Sequence, residues 1–60
     1  MHYRFYILDR DGSFLDVADA LCANDAEAST EARQLLGRAP AIEVWQQGRF
    51  VGQIGRPRAA

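Results

Sequence analysis

The segment Ala41-Ile-Glu-Val-Trp-Gln-Gln-Gly-Arg-Phe-Val-Gly-Gln-Ile54 reads as a β-hairpin that is apolar on both faces. Gln47-Gly48 supplies a two-residue turn, with Gly free to take positive φ. Side chains alternate along a strand, so this register sets Trp45 opposite Phe50 on one face and Val44 opposite Val51 on the other. A chain of 60 residues with room for one helix covers only one face of a sheet by itself. The second face needs another cover, most simply a second copy of the chain.

That length also means a single domain. A chain so short buries roughly 60% of the surface its unfolded form exposes, near the lower limit for folding alone. With 48% hydrophobic and 25% charged residues, the composition is that of a globular protein rather than a disordered one. The formal net charge of −1, from seven Arg, no Lys and eight acids, gives no general attraction to DNA, RNA or anionic membranes. The one Cys rules out an intramolecular disulfide. Met1-His-Tyr-Arg lacks the apolar stretch of a signal peptide, and no run approaches the ~18 apolar residues of a membrane span. The expectation is a cytoplasmic protein with no cofactor, no metal and no membrane contact. Oligomerisation is then the common remaining device for stabilising so small a core.

Tyr3 to Leu8 is dense in aromatic and aliphatic residues and reads as the first strand. Asp9-Arg10-Asp11-Gly12 is a turn, and Ser13 to about Cys22 a second strand interrupted by Asp16 and Asp19, with a bulge or a break expected near Val17 to Asp19. With Arg10-Asp11 as the turn residues, Ile7 would face Phe14 and Tyr6 would face Leu15. Asn24 to Leu36 is the helix: Asn24 is an N-cap with Glu27 three residues on, Gly37 ends it, and Pro40 prevents its resumption. Ala28, Ala32, Leu35 and Leu36 form its narrow apolar stripe.

The fold class is therefore α+β, in the order β-β-α-β-β, with a four-stranded, mainly antiparallel sheet and one helix on one face. Residues 1–55 form the domain and 56–60 a frayed tail. Phe5, Ile7, Ile42, Val44 and Val51 belong under the helix, with Cys22 at the strand end. Tyr6, Leu8, Leu15, Trp45, Phe50 and Ile54 belong on the opposite face, with Arg4 and Arg49 on its rim.

No pattern of catalytic residues emerges. Cys22 precedes a helix N-terminus, where the dipole favours a thiolate, but no His follows it and His2 is terminal, so it reads as a small buried residue. Asp9-x-Asp11-Gly12 begins like a calcium loop, yet the twelfth position, where an EF-hand needs Glu, is Ala20. Asp16 and Asp19 suit an edge strand that resists stray pairing. Gly48, Gly52 and Gly55 fit a turn and a strand rather than a phosphate cradle. Arg49, Arg56 and Arg58 near Trp45 and Phe50 would suit single-stranded nucleic acid, or equally the polar rim of an apolar contact. The near-zero net charge favours the rim.

Tyr3-Arg-Phe-Tyr-Ile-Leu-Asp-Arg-Asp-Gly12 and Ile42-Glu-Val-Trp45, followed by Gly48-Arg-Phe-Val51, resemble a group of short alphaproteobacterial proteins, common among rhizobial relatives, to which no activity is assigned. The resemblance spans nearly the whole chain and implies a compact α+β domain in a bacterial cytoplasm. Asp9-Arg-Asp-Gly-Ser-Phe14 and the helix with Glu27, Glu31 and Ala32 are also similar to HicB-type antitoxins, which implies a protein–protein contact. The C-terminal DNA-binding segment of those antitoxins has no counterpart here.

Together these features lead to the expectation of a non-enzymatic interaction module. It would form a homodimer through the face opposite the helix, with Tyr6, Leu8, Leu15, Trp45, Phe50 and Arg49 at the contact. The alternative is a module that binds a peptide, another protein or single-stranded nucleic acid on the same aromatic face.

Overall fold

The computed structural model describes residues 1–37 and 40–56, so the expected tail beyond Arg56, Arg58 included, lies outside the described residues. Strands β1 (His2–Leu8) and β2 (Phe14–Leu21) precede helix α1 (Asp25–Leu36), and strands β3 (Ala41–Gln46) and β4 (Arg49–Gly55) follow it. The strands form one open sheet in the order β2-β1-β3-β4, antiparallel throughout. The β-β-α-β-β architecture with one helix against an antiparallel sheet is as expected. The pairing of β1 with β3 makes these two the inner strands.

The first hairpin departs from the expected register. Asp9 N–H donates to the Ser13 carbonyl at 2.9 Å, and Gly12 N–H donates to the Asp9 carbonyl at 3.0 Å. The loop is therefore three residues long, with Gly12 at φ 87° in the position that needs positive φ. The Asp9 carboxylate fastens it by accepting from Asp11 N–H at 3.1 Å and Ser13 N–H at 3.0 Å. Phe14 consequently faces Leu8 rather than Ile7. A bulge then absorbs Leu15, which has no partner across the ladder, and Asp16 meets Ile7 while Val17 meets Tyr6. Thus Leu15 does not face Tyr6, and the irregularity lies ahead of Val17–Asp19 rather than within it.

The second hairpin keeps part of its expected register. Gln47 and Gly48 have φ of 50° and 83°, both positive as in a type I′ turn, and Trp45 faces Phe50. A bulge at Val51 shifts the ladder beyond, so Val44 faces Gly52 instead of Val51. Val51 still packs on the core.

The helix begins as its caps dictate. The Asn24 side chain accepts from Glu27 N–H at 2.9 Å, and the Glu27 carboxylate reaches back to Ala23 N–H at 2.9 Å, one residue beyond the usual capping-box donor. Gly37 caps the other end at φ 43°. Ala28 and Ala32 are fully buried and let the helix sit close over β3 and β4, with lighter contact on β1. Leu36 joins them, but Leu35 is 47% exposed, because the buried stripe runs through Asp25, Ala28, Ser29, Ala32 and Leu36.

The core beneath is Tyr3, Phe5, Ile42 and Val44, all essentially inaccessible, closed at one end by Cys22. Ile54 pairs with Ile42 and packs on this core, so it lies under the helix rather than on the opposite face. Gly55, at φ 77°, passes so near the Pro40 carbonyl oxygen that a Cβ there would collide with it.

Strand β2 is an open edge. Met1 and Cys22 exchange both backbone hydrogen bonds at 2.9 Å. Such pairs alternate along an antiparallel ladder, so Val17, Asp19 and Leu21 turn their N–H and C=O groups outward. The Val17 N–H is taken by the Asp16 carboxylate at 2.8 Å.

Candidate functional site

Alternation along the four strands fixes what the face away from the helix displays. The registers align Asp19, Arg4, Trp45 and Phe50 in one cross-strand row, and Val17, Tyr6, Glu43 and Gln53 in the next. A third row runs through Phe14, Leu8, Ala41 and Gly55.

Four aromatic rings, one from each strand, connect across these rows. Phe14 lies 5.7 Å from Tyr6 between ring centroids, Tyr6 lies edge-on to Trp45 at 6.4 Å, and Trp45 lies edge-on to Phe50 at 5.3 Å. Tilted and edge-on contacts at these distances suit the ring quadrupoles, so the ribbon is a preferred arrangement of the rings. Tyr6 and Trp45 are half-buried, whereas Phe14 and Phe50 are 59% and 50% exposed. Trp45 is further fixed by its indole N–H, which donates to the Glu43 carboxylate at 3.1 Å.

A shallow groove of about 690 Å³ runs over this face from Gly12 in one hairpin turn to Gly48 in the other. Tyr6, Trp45 and Phe14 line it, as does Leu8, which is only 7% exposed and so offers little surface. Arg4 and His2 stand at one side. Arg4 Nε donates to the Asp19 carboxylate at 3.1 Å, and His2 Nε2 lies 3.6 Å from the same oxygen. Contact with the Tyr6 side chain, and then with Asp19, raises Arg4 above the ordinary arginine value. Glu43 has no cation within ion-pair distance among the described residues.

Of the residues expected at the contact, Tyr6, Trp45 and Phe50 are brought together on one face, and Leu8 lies on that face too, buried between Phe14 and Ala41. Leu15 sits in the bulge at the edge strand, 57% exposed; the place it was expected to fill opposite Tyr6 is taken by Val17, and the Tyr6 ring packs instead on Phe14, one cross-strand row away. Phe14 was missed because a two-residue turn at Arg10-Asp11 puts it on the other face. Gly12 was the signal for the longer loop.

Arg49 is not on the aromatic rim. It pairs across the turn with Gln46, one step out of phase with Trp45 and Phe50, and so projects from the helix side. There its Nη atoms donate to both Asp25 carboxylate oxygens at 3.0 and 3.3 Å, and it also bonds the Gln46 amide oxygen. Tyr3 donates its hydroxyl proton to Asp25 as well. Arg49 first, and Tyr3 second, hold the Asp25 carboxyl below its ordinary 3.8. The Tyr3 phenol is pushed up to about 12, first by its bond to Asp25 and then by burial. Asp25 in turn raises Arg49.

Cys22 lies in the core, where burial, with added repulsion from Glu27 and Glu31, pushes its thiol above the ordinary value. Among the described residues no three His, Cys, Asp or Glu side chains gather to hold a metal ion, and no helix is long and apolar enough to cross a membrane. Compared with protein-family models, curated proteins and solved structures, the chain matches none.

Proposed function

We propose that this chain is a small non-enzymatic interaction module that pairs with a second copy of itself through the sheet face away from the helix. The observation that carries the reading is the aromatic ribbon Phe14–Tyr6–Trp45–Phe50, which crosses all four strands and whose outer rings, Phe14 and Phe50, are left half-exposed by the described residues. Burying roughly 200 Å² of ring surface on Phe14 and Phe50 would contribute about 5 kcal/mol per copy at about 25 cal/mol per Å². That is comparable with the whole stability of a domain this size. A bacterial cytoplasmic setting, implied by the sequence resemblance, belongs to the same reading.

Light scattering across a micromolar dilution series tests it. The expected result is a dimer that becomes a monomer, folded by circular dichroism, on Phe50→Glu, a position 50% exposed, and also on Trp45→Glu. A folded monomer at every concentration, unaffected by either substitution, would sink the idea.

The groove favours a second reading, in which an extended peptide or single-stranded nucleic acid lies along Tyr6 and Trp45. Under that reading the protein is monomeric, and Trp45 fluorescence shifts on adding a peptide or an oligonucleotide. For the oligonucleotide the binding is strongly salt-dependent.

A further inference from the structure

We infer that the two copies meet about a two-fold axis lying along the aromatic ribbon, with Arg4 of each copy paired to Glu43 of the other. This rests on the self-association proposed above and specifies its geometry.

Strands β1 and β3 pair without any register shift, Arg4 opposite Trp45 and Tyr6 opposite Glu43. These four side chains are the corners of a regular block on the open face. One diagonal is aromatic, Tyr6 to Trp45. The other joins opposite charges, Arg4 and Glu43.

An isologous contact between two sheet faces has its two-fold axis in the plane of the contact. Residues on that axis meet their own equivalents, and residues on either side of it meet each other. With the axis along Tyr6–Trp45, ring stacks on ring, Arg4 lies over Glu43 of the second copy, and Glu43 lies over its Arg4. With the axis along the other diagonal, Arg4 meets Arg4 and Glu43 meets Glu43, a repulsive arrangement. An axis parallel or perpendicular to the strands sets Glu43 against Tyr6 or Trp45 and leaves the nearest Arg4 about 6.8 or 4.8 Å to the side rather than facing it.

That last point decides among them. Glu43 is half-buried already, its one side-chain hydrogen bond is from the Trp45 indole, and it has no cation partner among the described residues. Any partner laid on this face removes its remaining water, and a desolvated carboxylate without a cation is costly. Arg4 can supply the charge, because it is only through Nε that it bonds Asp19. The aromatic diagonal is thus the axis that satisfies both the rings and the charges. With about 6.8 Å between Arg4 and Tyr6 along a strand and about 4.8 Å between strands, this diagonal lies roughly 35° from the strand direction. The two sheets therefore cross at roughly 70°, near the orthogonal class of sheet packing.

Charge reversal tests the arrangement. In Arg4→Glu two acids face each other at both contacts, and in Glu43→Arg two bases do, so each variant alone should dimerise roughly tenfold or more weakly than the parent. An equimolar mixture of the two should form a heterodimer, since every contact then joins opposite charges, and the double variant should recover the parental homodimer. Circular dichroism establishes that each variant is folded. If either is not, Glu43→Gln, which keeps an acceptor for Trp45, should still alter the dissociation constant. A parental dimer whose strength none of these substitutions changes overturns this axis while leaving self-association standing, as does a mixture no more associated than its components. A parental protein that stays monomeric at high micromolar concentration overturns both.

Discussion

The Tyr3 hydroxyl donates to the Asp25 carboxylate over 2.6 Å, joining the buried inner strand β1 to the first turn of the helix. Arg49 closes on the same carboxylate from the end of the second hairpin, so three elements are tied at one group. The dipole of the helix adds to the preference for negative charge there.

The tie makes stability depend on pH in two windows. Asp25 has its folded value lowered below 3.8, so its contribution is present above that value and is lost as pH falls. Tyr3 has its folded value raised from 10.0 to about 12, so its contribution is complete below 10.0 and is lost as pH rises through about 12. Urea midpoints should therefore fall at both extremes, and Asp25→Asn should flatten the acid limb. In a Tyr6→Phe background, spectrophotometric titration of the remaining tyrosine should show ionisation near 12. Tyr3→Phe should lower the melting temperature by roughly 5 °C.

Gln47 is the one non-glycine residue with positive φ among the described residues, at 50°. Asn tolerates that region better, because its short amide bonds locally with the backbone. Gln47→Asn should raise stability by about 0.5 kcal/mol in chemical denaturation, with the dimerisation constant unchanged.

Cys22 should react with a thiol reagent only as fast as the protein opens. Burial and the nearby Glu27 and Glu31 disfavour the thiolate. Rapid labelling at neutral pH under native conditions would contradict this placement and revive a reactive role for the thiol.

Asp16 holds the outward Val17 N–H of edge strand β2, beside the exposed Leu15, Val17 and Leu21. Asp16→Ala should free that donor and remove a charge, leaving an apolar edge open to pairing. The expected outcome is an increase in thioflavin binding and turbidity on standing, with the initial circular dichroism spectrum unchanged.

How much of this was legible in the sequence depends on how local each signal is. Asn24, Glu27 and Gly37 act within one turn of the chain, and they placed the helix within a residue of where it lies. Gln47-Gly48 permits a single tight turn, which is why Trp45 opposite Phe50 was readable. Asp9 to Ser13, by contrast, can be read as a two-residue loop at Arg10-Asp11 or as a three-residue loop that ends on Gly12 at positive φ, and one residue of difference moves Phe14 to the other face. The bulges at Leu15 and Val51 have no signature of their own in the sequence. Arg49 was assigned to the rim because it neighbours Phe50 in sequence, although strict alternation already put it on the other side, where Asp25 holds it. The order β2-β1-β3-β4 depends on contacts between distant segments and was not written in any local pattern.

Both bulges lie in outer strands, Leu15 in β2 and Val51 in β4, while β1 and β3 run together without a break. Each outer strand thus carries one residue more than its inner neighbour needs, and the surplus is taken up at the margin. The inner pair serves as a ruler against which the margins are cut. A change of one residue in the length of an outer strand is therefore one that this architecture has already accommodated twice, whereas the same change in β1 or β3 would turn the rings and charges of its open face toward the helix.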